Sequence, residues 1–356
     1  MILLGLCSLP LFGLIGGGSV IAGALSSHKR KQDTKLSDTK PSLDLLIPAH
    51  NEEKRIETTL KSIHSALPCF AYPPRILITL DACTDQTEAV INRWTQKLKI
   101  ELKSVNFQSK WKTLQSLVDD SEADWVLLLD SGIHFKPTFI SNLLRHAQNQ
   151  NLVAYSPSYR IEATSKLNSL FWNFEKNLKK IENRAGGPIS VHGASIAYRS
   201  KPLKGTLQKI KTYSDNDFSN DDIIIPLALR KYYPTQSIFY STNDQILDQE
   251  DDQSIVFSTQ FNRRKRMVIG NLQWIRWLKL TKNSSAILYL LSLRRALRPF
   301  WVEVLIIFFI GARVEFGEIG YLSLLPIVFF PQAALASLYA PWAWLNKLDL
   351  KKSAWK

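Results

Sequence analysis

Carboxylates stand just past the ends of three short apolar runs in this chain. Residues 43–47 (LDLLI) lead to Glu52, residues 75–80 (RILITL) run straight into Asp81, and residues 125–129 (WVLLL) into Asp130. A fourth acidic station, Asp221-Asp222, opens the apolar run IIIPLAL. A lone Asp in such a place is read as a turn cap. Repetition at successive run ends points instead to chemistry. Carboxylates so gathered can share a divalent cation with a diphosphate, and one of them can take a proton as general base. A basic segment, Gln260-Phe261-Asn262-Arg263-Arg264-Lys265-Arg266, adds guanidinium groups that could steady a departing phosphate.

Those groups need elements to carry them. Short apolar runs bounded by turns predict strands over 43–47, 75–80, 100–105 and 125–129. Asn51 can cap a helix over 52–67, and Thr84 or Asp85 one over 86–98. Further helices are predicted over 111–121 and, opened by Pro137, over 138–148. Strand and helix alternate, which predicts an α/β fold: a doubly wound, mostly parallel sheet with helices on both faces. Ligands of such sheets bind beyond the carboxyl ends of the strands. After residue 150 the pattern changes. Strands are predicted over 152–155, 195–198 and 237–240. A helix over 166–184 carries a core stripe of Leu167, Leu170, Phe171, Phe174, Leu178 and Ile181, and Asn220 or Asp221 can cap another over 223–231.

The 356 residues carry a formal charge of +14 and are 45% hydrophobic, which suggests nucleic acid, anionic lipid or a phosphorylated ligand. No nucleic-acid-binding motif is evident, so nucleic acid is set aside. Cys7, Cys69 and Cys83 offer neither a disulfide framework nor metal-ligand spacing, which fits a reducing compartment. Residues 2–25 are uncharged and long enough to span a bilayer, and His28-Lys29-Arg30-Lys31 follow them, so the N-terminus is expected outside. Residues 300–312 and 319–345 are expected as two further spans, with Lys347, Lys351, Lys352 and Lys356 in a cytoplasmic tail. Between soluble domain and spans, residues 287–298 carry Arg294, Arg295 and Arg298 and suit a helix on the inner membrane face.

With these motifs in place, the sequence resembles the family-2, inverting glycosyltransferases of GT-A fold, above all bacterial polysaccharide synthase catalytic subunits. LLIPAHNEEKRIETTLKSI resembles the family's nucleotide-loop opening, LDACTDQT its DDGSTDxT segment, LLLDSGIHFKP its DxD segment, and SNDDIIIPLAL its ED segment. STQFNRRKRMVIGNLQ resembles the QxxRW element, and FWNFEKNLKKIENRAGG with GASIAYRS the stretch before the ED motif. The resemblance covers residues 43–275 and the flanking apolar segments. It implies this plan: 1–25 anchor, 26–41 tether, 42–275 GT-A domain, 276–298 interfacial segment, 299–346 two spans, 347–356 tail.

The resemblance also implies roles. Pro48, Ala49, His50 and Glu52 would wrap the donor nucleotide, Asp81 would bond its base, and Lys110 would lie near it. Asp130 would contact the ribose and diphosphate and bind the metal, Mg2+ or Mn2+. Asp222, with Asp221 beside it, would be the general base. Arg263 and Arg264 would clamp the leaving diphosphate, while Gly193 and Gln260 would line the acceptor side. The expected partners are a nucleotide-sugar donor (a UDP-hexose or UDP-N-acetylhexosamine), a glycan or lipid-linked acceptor, the inner membrane and an export subunit. Some positions depart from the pattern. Leu80 stands for the first Asp of DDGS, Gly132 for the second Asp of DxD, and Arg264 for the Trp of QxxRW. His134 is expected to be packed rather than ligating. The missing DxD carboxylate leaves a second reading, a catalytically weak scaffold that binds nucleotide sugar.

Overall fold

The computed structural model describes residues 2–26, 36–37, 39–161, 166–213, 217–248, 257–281, 284–329 and 331–345, without the side chains at 2, 161, 166–168, 257–260, 280, 328–329, 331–332 and 345. Among them one sheet holds eight strands: β1 Leu43–Ala49, β2 Ile76–Asp81, β3 Ile100–Val105, β4 Trp125–Leu129, β5 Ile133–Phe135, β6 Leu152–Ile161, β7 Ser195–Arg199 and β8 Ser237–Asp248. Their spatial order is β3-β2-β1-β4-β7-β6-β8-β5.

The first half is the expected parallel sheet, with β1 between β2 and β4 and β3 outside β2. β1, β2 and β4 are buried on both faces, which is why they are apolar at nearly every position, whereas the edge strand β3 has no fully buried residue and alternates with polar ones. Leu45, Ile47, Trp125 and Leu127 face one layer of helices, Ile56–Ala66, Thr87–Asn92 and Pro137–Ala147. Leu46, Val126 and Leu128 face the other, Lys110–Asp120, Ser200–Tyr213 and Asp221–Tyr232. The second half departs from a uniformly parallel sheet. β7 runs antiparallel to both β4 and β6, because the helix Lys166–Arg184 and the turn at Gly186-Gly187 return the chain in reverse. Strands β6 and β8 outrun the predicted 152–155 and 237–240. They pair with each other as far as Ile161↔Asp248, past register shifts at Val153 and at Pro157. β5 and the helix Ser200–Tyr213 were not predicted.

The flanking segments differ from the predicted spans. Among the described residues no single helix is long and apolar enough to cross a membrane; the pair Leu3–Leu14 and Gly17–Ser26 is so by length and composition, but bent by 75°. The bend falls where Gly16 takes φ +108, a conformation that disfavours any side chain. Gly17–Ser26 is then docked on protein: a Cβ at Gly18 would lie 2.2 Å from the Leu290 carbonyl, and one at Gly23 2.8 Å from Ile181. The predicted span 319–345 is divided among the turns of Gly317–Leu324, Leu325–Phe329 and Pro331–Leu345, with prolines at or near the start of the last two. Trp301–Phe316 covers the other predicted span. The predicted interfacial helix is present as Ala286–Leu297, but Arg294 faces protein: it is 7% exposed and bonded to Glu175. Most of the tether and the whole 347–356 tail lie outside the described residues.

Candidate active site

The carboxyl ends of β1, β2 and β4 bring the acidic stations to one edge, and the loops there are tied by side chains. Asn51, at φ 55, accepts from the backbone N–H of Thr84 and Asp85 through Oδ1 at 2.8 and 3.3 Å. It therefore clamps the β2 loop to the β1 loop, and the helix it was expected to cap begins only at Ile56. Pro48 and Ala49 end β1 in register with Thr79 and Leu80. His50 Nδ1 donates to the Asp81 carbonyl at 2.5 Å, and the Glu52 N–H donates to Thr87 at 2.8 Å.

Asp81 has no exposed surface. Its carboxylate accepts from the Gln108 and Ser109 N–H groups at 2.8 and 2.9 Å and from the Thr113 hydroxyl at 3.0 Å. The expected bond to a nucleotide base is replaced by an inward role: Asp81 shapes the loop that starts the Lys110–Asp120 helix. That helix delivers Lys110 to the edge, where its Nζ lies 2.7 Å from Asp130 and 4.0 Å from Asp221. The carboxylates of Asp130, Asp221 and Asp222 raise the Lys110 pKa despite its burial.

Asp221 and Asp222 open the helix Asp221–Tyr232. The Val191 N–H donates to the Asp222 carbonyl at 3.0 Å, which seats Gly193 against it: a Cβ there would be 3.3 Å from Asp222 Cβ. Burial, then the charge of Asp221, push the Asp222 carboxyl up to about 6, while Arg295, Lys179 and Lys110 oppose the rise. Burial also raises Asp221. A carboxylate so placed is ionised at neutral pH and more basic than an exposed one, which suits proton abstraction from a hydroxyl.

The helix Phe257–Leu280 supplies the arginines, but with a different division of labour from that predicted. Arg266, not singled out in the sequence, is the one that senses the charges of Asp221, Asp130 and Asp222. Arg263 acts on Tyr159, whose hydroxyl donates to Asp248 at 2.7 Å. Burial and Arg263 lower the Arg264 pKa, and its charge bears on Arg298. Helical spacing carried this signal, because residues three apart share a face and adjacent ones do not. The Gln260 side chain lies outside the described residues.

The edge also holds residues that no sequence motif marks. Arg55 bonds Asp248 at 2.7 Å and lies 3.5 Å from Glu52. On the acceptor side, Lys179 Nζ is 3.2 Å from His192 Nε2, and His192 stacks on Tyr159 with ring centroids 5.0 Å apart. Burial and Arg295 pull Lys179 down to about 7.

A divalent cation at this edge would need oxygen ligands from these side chains. Asp130 is its one matched ligand, and Lys110 occupies Oδ1. Gly132, in place of the second carboxylate, takes φ +88. His134 is exposed and turned to Ser62 at 3.1 Å. Among the described residues no group of three or more His, Cys, Asp or Glu could hold a metal ion. The described side chains do not by themselves make a site for the metal that the resemblance implied.

A parallel half-sheet with an ionic edge, a reversed second half and an acidic helix start define the GT-A class of fold. The comparisons agree. The chain is similar to the mannosyltransferase PcManGT from Pyrobaculum calidifontis, solved with GDP-Man and Mn2+, at TM-score 0.68 and 15% identity over 97% of this chain and 99% of that one. It is also similar to S. aureus TarS 1-349, solved with UDP-GlcNAc, at TM-score 0.50 and 13% identity over 86% and 92%. Curated protein sequences give no match. Residues 44–207 match the model of glycosyl transferase family 2. The chain carries a family-2 domain and is a glycosyltransferase.

Proposed function

We propose that the protein transfers a sugar, with inversion, from a nucleotide diphosphate donor to an acceptor hydroxyl or phosphate presented at a membrane, in the assembly of a cell-surface glycan or glycolipid. One observation carries this reading: Asp222 stands at a helix start against Gly193, facing the Lys110–Asp130 pair, with its carboxyl pushed up to about 6. The acceptor oxygen bonds to the anomeric carbon while an acceptor hydroxyl passes its proton to Asp222. The bond to the donor's β-phosphate oxygen breaks on the opposite face, and the diphosphate leaves with the electron pair. Arg263 and Arg266 lie on the helix face that meets it.

Attachment to the membrane is supported by apolar surface. Leu6, Leu9 and Leu25 at the N-terminus and Ile310, Ile319 and Leu322 near the C-terminus are all more than half exposed. Patches of this extent mark a partner or a bilayer. The basic residues that follow the first segment in the sequence favour a catalytic domain on the cytoplasmic side. A lipid-borne acceptor is favoured over a free glycan end by Arg298, which lies over the ring of Phe171, exposed beside Leu170 and Phe174.

The test is a screen of UDP- and GDP-linked sugars for release of nucleoside diphosphate by the detergent-solubilised protein. One donor is expected to turn over, and Asp222→Asn to cut the rate at least about a hundredfold. Nucleotide binding without turnover of any donor would make the chain a binding scaffold instead.

A further inference from the structure

Gly132 is the residue at which this edge departs most from its family pattern, and the space it leaves is filled. A Cβ at Gly132 would lie 2.6 Å from Arg55 Nε, 2.8 Å from its NH2 nitrogen and 2.9 Å from its guanidinium carbon. Neither a carboxylate nor any other side chain fits there while Arg55 stays. The guanidinium is held by Asp248 at 2.7 Å and by Glu52 at 3.5 Å. Its Nε–H is buried with no partner among the described residues. On the neighbouring strand end, the Lys110 ammonium sits on Asp130 at 2.7 Å. Two cations thus stand at the one carboxylate left in the DxD-like segment: Lys110 bonds Asp130, and the charge of Asp130 also acts on Arg55.

We propose that Lys110 and Arg55 together replace the divalent cation in this chain, receiving the donor's diphosphate oxygens directly, so that donor binding and leaving-group departure need no metal. The inference rests on the donor-site reading above. The chemistry balances without a further reactant. The electron pair of the broken anomeric bond stays on the β-phosphate oxygen, and the ammonium and guanidinium N–H groups stabilise that charge as charge-assisted donors. Both cations are already on carboxylates, so no ion has to be recruited before the donor arrives. A dication bound to Asp130 would instead be pressed against Lys110, a like charge at close range.

The experiment uses the full-length solubilised protein with UDP and GDP as probes, titrated by intrinsic fluorescence in EDTA and again with Mn2+, and with Mn2+ itself followed by EPR. One nucleotide is expected to bind in EDTA with an affinity within about twofold of that in Mn2+, and free Mn2+ to show no stoichiometric site. Lys110→Ala and Arg55→Ala should each weaken that binding about tenfold or more. The double variant Arg55→Ala/Gly132→Asp removes the guanidinium and restores the second carboxylate. It should bind Mn2+ and recover nucleotide affinity only when Mn2+ is present. Binding by the unaltered protein that is lost in EDTA and restored by Mn2+ overturns the proposal while leaving the donor site intact. Failure to bind either nucleotide under both conditions refutes the donor site, and the proposal with it.

Discussion

The donor edge and the acceptor side of this molecule handle charge in opposite ways. At the donor edge the carboxylates are matched: Asp130 has the Lys110 cation, Asp248 has Arg55, and the buried Asp81 has neutral N–H and O–H donors. On the acceptor side cations outnumber carboxylates. Glu175 takes Arg294 through two bonds of 2.5 and 2.6 Å and Arg295 at 3.6 Å, while Glu182 accepts from Ser19. Burial and mutual repulsion pull Lys179 down to about 7 and Arg298 to about 10. Asp222 lies where the two regimes meet, and its carboxyl is the one held near 6. Neutralised pairs give a rigid floor for a donor. Unmatched charges store the proton affinity and anion affinity that an acceptor would use.

The largest way to break this contrast is at Asp222. Asp222→Asn is expected to lower kcat by about 10²–10⁴-fold. In the unaltered protein kcat should rise with pH through about 6 and level off above, because the base works only when ionised. A limb near pH 4, or none, would show that Asp222 does not limit the rate. The same displacement has a stability consequence whose sign is fixed. The folded pKa lies above the ordinary value of 3.8, so the native state holds the proton more tightly. Stability therefore falls as pH rises through the window between those values. Above it, Asp222→Asn should unfold at a higher temperature than the unaltered protein even as it loses activity.

Next in size is the pair that anchors the acceptor side. Glu175 is 2% exposed and joins the helix Lys166–Arg184 to Ala286–Leu297 through Arg294. Glu175→Gln keeps the shape but leaves buried guanidinium charge uncompensated, which costs about 3–5 kcal/mol. Thermal unfolding should show it. Arg75→Ala, which breaks the half-exposed Arg75–Glu101 pair on the donor half, should cost no more than about 1 kcal/mol. Equal losses in the two variants would erase the distinction drawn here.

How much of this was legible in the sequence follows the same divide. The parallel half came through because β1, β2 and β4 are buried on both faces, so apolar runs with acidic residues at or just past their ends mark both strand and site. Asp130, Asp222, Gly193 and Lys110 do meet. The reversed half was less legible. β8 carries Asn243, Asp244 and Gln245, which no apolar count would call a strand, yet it pairs with β6 past Pro157. Asp81 misled because its type and place suit a ligand, whereas burial turned it to the backbone. Arg55 and Asp248 were invisible for another reason. They lie far apart in the chain and meet only across the folded edge, at a gap marked in the sequence by a glycine. Even there the clue was half present, since a missing carboxylate implies that something else manages the charge.

The smallest predicted effect tests the meeting point itself. Gly193 does not need its glycine for backbone reasons, for it is not among the positive-φ residues. What excludes a side chain is Asp222, whose Cβ would be 3.3 Å and Cγ 3.8 Å from an added methyl. That separation is tight rather than impossible, so Gly193→Ala should fold and shift the carboxylate by a few tenths of an ångström. A whole ångström of misplacement costs about a hundredfold in rate, so a shift of this size should cost about three- to tenfold in kcat. Nucleotide affinity, set at the donor edge, should stay as it was. If affinity fell in step with kcat, the donor edge and the acceptor side would be one coupled site, and the charge contrast between them would have no functional meaning.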